Sequence, residues 1–185
     1  MRKVTRSDVL DYKTYNDRRD GIRARILAEK AKRRIHLGEH LTFLFESTDT
    51  ILYQVQEMMR LEQTVRESEI QHEIDTYNQL LGDDGELGCT LLIEIDDATE
   101  RARKLAAWIG LPEHLYVKVD DGSLARAVWD ERQVGDGRLS SVQYLKFPVG
   151  MRVPVAIGSD HPDLRVEAAF TDAQRETLRL DARSA

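Results

Sequence analysis

A single cysteine, Cys89, stands in the whole chain. One thiol closes no internal disulfide, and alone it holds neither an iron–sulfur cluster nor a structural zinc. On the apolar run CTLLIEI it is expected to be a buried, inert side chain, because free cysteine behaves as a small hydrophobe. Aromatic residues make up 6% of the chain and are not interleaved with the basic ones in a base-stacking pattern. No apolar run approaches the roughly 20 residues of a membrane-spanning helix. The opening MRKVTRSDVLDY lacks the apolar stretch of a secretory signal, so a cytoplasmic protein is expected. The phosphate-cradling patterns G-x-G-x-x-G and G-x-x-x-x-G-K-[ST] are absent, as is the nucleophile elbow G-x-S-x-G.

What is present is the composition of a folded, soluble domain: 41% hydrophobic and 32% charged residues over 185 positions. One domain over residues 1–185 is expected, with a basic helical segment over about residues 1–34. That segment holds 12 Lys or Arg against 5 Asp or Glu, although the net charge of the chain is −6. A basic arm can seek nucleic acid or an acidic partner. Packing against the acidic remainder of the same chain is the simpler expectation, since overall acidity weakens phosphate binding.

Hydrophobic spacing lays out the elements. Thr5-x-x-Asp8 reads as a capping box, and Asp17 to Arg33 as a helix with Tyr15, Ile22 and Ile26 along one stripe. Gly21 weakens that helix. RIHLGEHLTFLFES alternates at the strand period around Gly38 and predicts a β-hairpin. Ile51, Leu52, Val55, Met58 and Met59 form the stripe of the next helix, which Glu62 ends. Thr64-x-x-Glu67 reads as the capping box of a further helix with Ile70, Ile74, Tyr77 and Leu81 on its core face. CTLLIEI predicts a central strand. Asp97-x-x-Glu100 opens a helix closed by Gly110 and Pro112. HLYVKVD, SLARAVWDE, VQYLKF, VPVAIG and LRVEAAF read as strands, with DDG as a hairpin turn, and Thr171-x-x-Gln174 caps a terminal helix. DGRLSS, near residues 136–141, is the segment expected to be most mobile. Helices first and strands afterwards argue for an α+β fold: a mostly antiparallel sheet packed with several helices, including a helical pair near residues 48–81.

The chemistry concentrates in SEIQHEID, residues 68–75. Glu69 and His72 are three residues apart, which places them about 60° apart around a helix axis. A carboxylate and an imidazole so placed can share one metal ion: iron, manganese or zinc. Asp75 would orient His72 from behind. Thr76 stands where a zinc protease needs its second histidine, and no second Glu-x-x-His element exists. Further ligands would have to come from Glu57, or from His36 and His40 in the hairpin, or from a second subunit, so a homo-oligomer is compatible with the site. A solvated helix face carrying a Glu–His pair is the plainer reading. Met58-Met59 reads as core, and Glu113-His114 and His161-Pro162 as loop or strand-edge residues.

Together HLGEHLTFLFES, QVQEMMRLEQ and IQHEIDTYNQLL make the chain resemble a bacterial family known as a domain of unknown function, from about Thr5 to Asp181. That resemblance implies genomic company with rubrerythrin, a peroxide-reducing di-iron protein, and with an iron–sulfur oxidoreductase of the heterodisulfide-reductase type. It implies no catalytic residue. Three functions follow as expectations. The first is an accessory or binding protein of such a redox or peroxide-defence module, with a rubrerythrin-like or iron–sulfur protein as partner. The second is a metal- or haem-binding oxidoreductase using Glu69 and His72. The third is a small-molecule enzyme or sensor with a cleft between helices and sheet, in which His72 and Glu57 are acid–base candidates.

Overall fold

The first helix starts earlier than its apolar stripe suggests, because Asp11 caps it. The computed structural model describes residues 1–135 and 137–183. The Asp11 side chain accepts from the amides of Lys13 and Thr14, and α1 runs unbroken from Tyr12 to Arg33. Gly21 does not interrupt it: it lies on the exposed side, with no atom within 4 Å of where a Cβ would stand. Before α1, Thr5 and Asp8 form the expected capping box on a short 3-10 turn.

β1 (Arg34–Leu37) and β2 (Leu41–Phe45) form the predicted hairpin, turned at Gly38 with φ at 63°. α2 (Thr48–Glu62) and α3 (Glu67–Asn78) are the predicted helical pair. The Thr64–Glu67 capping box does not form. Gln63 adopts a left-handed conformation that closes α2, and the Thr64 amide is drawn back to the Met59 carbonyl. Thr64 thus serves the end of α2, and Arg66 stands at the start of α3 without a side-chain cap.

β3 (Glu86–Ile93) is central, as CTLLIEI suggested. After it come α4 (Ala98–Ala107) and the short α5 (Leu111–His114), in which Pro112 sits in the first turn and opens a helix instead of closing one. β4 (Leu115–Val119) and β5 (Leu124–Arg126) form the DDG hairpin. SLARAVWDE is not one strand. Ala127 donates to the Leu115 carbonyl, and the chain crosses there from β5 to β6 (Val128–Trp129), which belongs to another sheet. β7 (Val134–Gly135) and β8 (Arg138–Leu139) make a small ladder. Asp136, in the segment expected to be mobile, lies outside the described residues, while Leu139 after it is buried. β9 (Val142–Pro148), β10 (Pro154–His161), β11 (Leu164–Ala169) and α6 (Asp172–Ala182) complete the chain, with the Thr171–Gln174 capping box formed.

The fold is α+β, and the strand pairs are antiparallel. One sheet has the order β1-β2-β3-β9-β6 and the second β11-β10-β4-β5. Phe43, Phe45, Leu91, Leu145 and Phe147 of the first share one core with Leu115, Val117 and Ile157 of the second and Leu178 of α6. A separate core joins Ile51, Val55 and Met59 of α2 to Ile70 and Ile74 of α3, closed by Val4, Val9 and Leu81. At one junction of the two layers the backbones nearly touch. A Cβ on Gly88 would lie 1.9 Å from the Leu80 carbonyl oxygen, and one on Gly82 would lie 2.2 Å from that of Glu86. At the other, a buried ion pair ties α1 to α6: Arg33 Nε to Asp181 Oδ2 at 2.8 Å. Burial pushes the Asp181 carboxyl up against the pull of Arg33, so the pair offsets a desolvation cost more than it adds net stability.

Two glycine substitutions separate these roles. Gly88→Ala is expected to cost about 3 kcal/mol or more, because backbone on both sides has to move. Gly21→Ala is expected to stabilise by about 0.5–1 kcal/mol, from helix propensity alone. Urea unfolding of both variants against the parent reads out the two signs.

Candidate functional site

The residues of the predicted metal site go to separate places. Glu69 and His72 both lie on the exposed face of α3. Glu69 pairs with Arg66 at 3.3 Å, and Asp75 accepts from Gln71 and is not turned to His72. Glu57 faces α1 instead: Arg19 holds both its oxygens at 2.8 Å and the Tyr15 hydroxyl donates at 2.6 Å. The hairpin histidines do not converge. His36 Nδ1 meets the Thr42 hydroxyl at 2.9 Å, and that hydroxyl donates to Glu94. His40 contacts the Lys104 ammonium and lies beside the Trp108 ring. Among the described residues no group of three or more His, Cys, Asp or Glu side chains is placed to hold a metal ion. Cys89 is buried, and desolvation raises its thiol well above the usual range, as its strand position implied.

A cleft between the helical layer and the first sheet was not visible as a motif. The segment that follows α3 forms one wall, with Gln79 and Leu80; β6, the 3-10 turn Glu131–Gln133 and β9 form the other. The close approach at Gly88 sets the distance between the walls. Alternation along β9 sends Gln143, Leu145 and Phe147 into the core and turns Val142, Tyr144 and Lys146 outward. Val128, 56% exposed, and Tyr144, 44% exposed, stand with Trp129 and Leu80 around a cavity of about 760 Å³. Gln133 fixes the cleft edge: its amide accepts from the Tyr144 N–H at 2.5 Å and donates to the Tyr144 carbonyl at 3.0 Å, as a neighbouring strand would. Burial, then Tyr77 and Glu46 nearby, raise the Tyr144 phenol, which stays a neutral donor.

A second cavity of about 720 Å³ adjoins the first and shares Arg132, Gln133 and Tyr144 with it. Arg101, Arg138, Ser140 and Ser141 also line it, with Leu105, Leu139 and Val142, and among the described residues around it there is no Asp or Glu. Arg101 spends one guanidinium nitrogen on the Ile95 and Asp96 carbonyls, and no carboxylate pairs with it or with Arg138 among the described residues. Arg132, at the boundary, is held by Asp130.

A wider cleft on the outer face of the second sheet differs in its electrostatics. His114 Nδ1 and Asp160 lie 2.8 Å apart, Arg126 joins the same carboxylate at 2.5 Å, and Lys118 pairs with Glu167. Arg126 holds Asp160 well below the ordinary carboxylate range. These are cross-strand charge pairs that answer one another on a solvent-facing sheet. The cleft beside Tyr144 instead offers exposed aromatic surface next to Arg101 and Arg138, with which no carboxylate among the described residues pairs.

The fold is α+β, with a cleft between the helical layer and the first sheet. The chain belongs to the DUF3501 family, proteins of unknown function, whose family model matches residues 3–182. Among solved structures it is similar to a Burkholderia pseudomallei protein, described as a novel protein of unknown function and determined by crystallography at 1.90 Å resolution. The identity is 32%, the TM-score is 0.89, and the match covers 97% of this chain and 99% of that one. No curated protein matches the chain. No helix among the described residues is long and apolar enough to cross a membrane.

The engagement of Glu57 has a pH signature. Hydrogen bonding from Arg19 outweighs burial and draws its carboxyl from an ordinary 4.5 to about 2. A carboxyl depressed in the folded state stabilises at pH values above its unfolded pKa, and that contribution is lost as pH falls through the folded one. Glu57→Gln is therefore expected to cost up to about 3 kcal/mol at pH 7, with the gap to the parent narrowing as the pH falls from about 5 to 2. Urea titrations across that range measure it.

Proposed function

We propose that the protein is an accessory binding protein, and that its binding site is the cleft between the helical layer and the first sheet. The observation that carries this reading is the pair of large apolar side chains, Val128 and Tyr144, left exposed at a concave, apolar-lined site. Exposed apolar surface gathered in a concavity is the ordinary signature of a ligand or partner site. The acid–base candidates weigh against chemistry on the ligand. Glu57 is locked by Arg19 and Tyr15, and His72 stands on the outer face of α3 rather than in the cleft. The role is therefore to hold a small molecule, with the redox or peroxide-defence module implied by the family resemblance as the system it serves. A rubrerythrin-like or an iron–sulfur redox protein is the partner to which that resemblance points.

A neutral solvatochromic dye such as Nile red tests the site. The parent protein is expected to bind it with a blue-shifted emission. Tyr144→Ala and Val128→Asp are expected to weaken binding at least about fivefold, which corresponds to about 1 kcal/mol. Both positions are exposed, so unfolding free energies should stay within about 1 kcal/mol of the parent. Dye binding that neither variant changes would contradict the assignment.

A further inference from the structure

The two adjoining cavities have opposite chemical characters, and together they specify a ligand. We propose that the cleft binds a planar aromatic anion of mononucleotide size, its ring against Trp129 and Tyr144 and its phosphate or carboxylate on Arg101 and Arg138. This assignment rests on the cleft reading above and narrows it to a ligand class.

Charge complementarity carries the argument. The two arginines bring positive charge to a cavity whose described lining holds no carboxylate. Arginine is the side chain best matched to phosphate and carboxylate, because its planar fork donates two parallel hydrogen bonds. Ser140 and Ser141 line the same cavity, and a serine hydroxyl can donate to an oxyanion. The arginine-bearing cavity borders β8, while the cavity with more apolar surface borders β6. The ligand is thereby oriented, with its anionic end towards β8 and its ring towards β6. At the ring end Trp129 is half-buried and packed against the core, while the backbone of Tyr144 exchanges two hydrogen bonds with the Gln133 side-chain amide. Aromatic rings at such a site offer π-faces on which a planar ligand stacks. Each cavity is within the range of about 300–1,000 Å³ occupied by small-molecule sites.

Isothermal titration of the full chain tests the proposal, with adenosine monophosphate and flavin mononucleotide as probes and adenosine and riboflavin as their uncharged counterparts. At least one phosphate-bearing probe is expected to bind tenfold or more tightly than its counterpart. Arg138→Gln, at an exposed position, is expected to erase that preference, and Arg101→Gln to do the same. Tyr144→Ala is expected to weaken both members of the pair. Nile red binding should be unchanged in the two arginine variants. If the uncharged compounds bind as well as the phosphates while Nile red still binds, the anion assignment is wrong and the cleft reading stands. If neither the probes nor Nile red bind, both fail. An acidic peptide that binds more tightly than either mononucleotide would overturn the small-molecule assignment.

Discussion

The backbone of residues 80–82 rests on the central strand with no side chain between them. At Gly88 the Leu80 carbonyl occupies the space a Cβ would need, and at Gly82 the Glu86 carbonyl does the same. This contact determines where the helical layer sits. It anchors the end of α3 on β3, and so places Gln79 and Leu80 opposite Tyr144 and Lys146 of β9. The cleft is the space left beside that contact. Two glycines at a layer junction permit an approach that side chains would hold several ångströms wider.

Charge is distributed around the same frame. The basic N-terminal segment answers acidic residues elsewhere in the chain: Arg6 pairs with Glu67, Arg19 with Glu57, Arg25 with Asp49 and Arg33 with Asp181. Those pairs hold α1 against α2 and α6, and the 3-10 turn before it against α3. The arginines without a carboxylate partner among the described residues at the cleft come from the second half of the chain, where Arg101 of α4 and Arg138 of β8 line the same cavity. Part of the charge asymmetry of the sequence is thus taken up by internal pairs, and the arginines of the proposed site have a separate origin.

Much of the fold was legible because local signals and burial agree. The stripe Ile51, Val55 and Met59, the alternation in LTFLF and the apolar CTLLIEI each identify an element and the side it buries. Boundaries failed where two elements compete for one residue. Thr64 resembles a cap for α3 but is taken up in ending α2, and Ala127 looks like the middle of a strand but is the crossing between two sheets. The metal reading relied on the spacing of Glu69 and His72, which is real, but a helix face says nothing of what stands opposite, and here both side chains are exposed. A cleft between helices and sheet was expected, but its lining was illegible for the converse reason. Its residues come from positions 79–80, 101, 105, 128–133, 135, 138–142 and 144–146, joined only by topology. The one local hint was VQYLKF, whose alternation turns a tyrosine outward from a strand whose other face is core.

Hydrogen exchange with and without an aromatic monophosphate tests the central claim, that this cleft is where the protein binds. The account predicts slower exchange over residues 128–133 and 142–146, the segments that line both cavities. The SEIQHEID face of α3 and the outer face of the second sheet should not change. Protection concentrated at either of those surfaces, with none beside Tyr144, would contradict it.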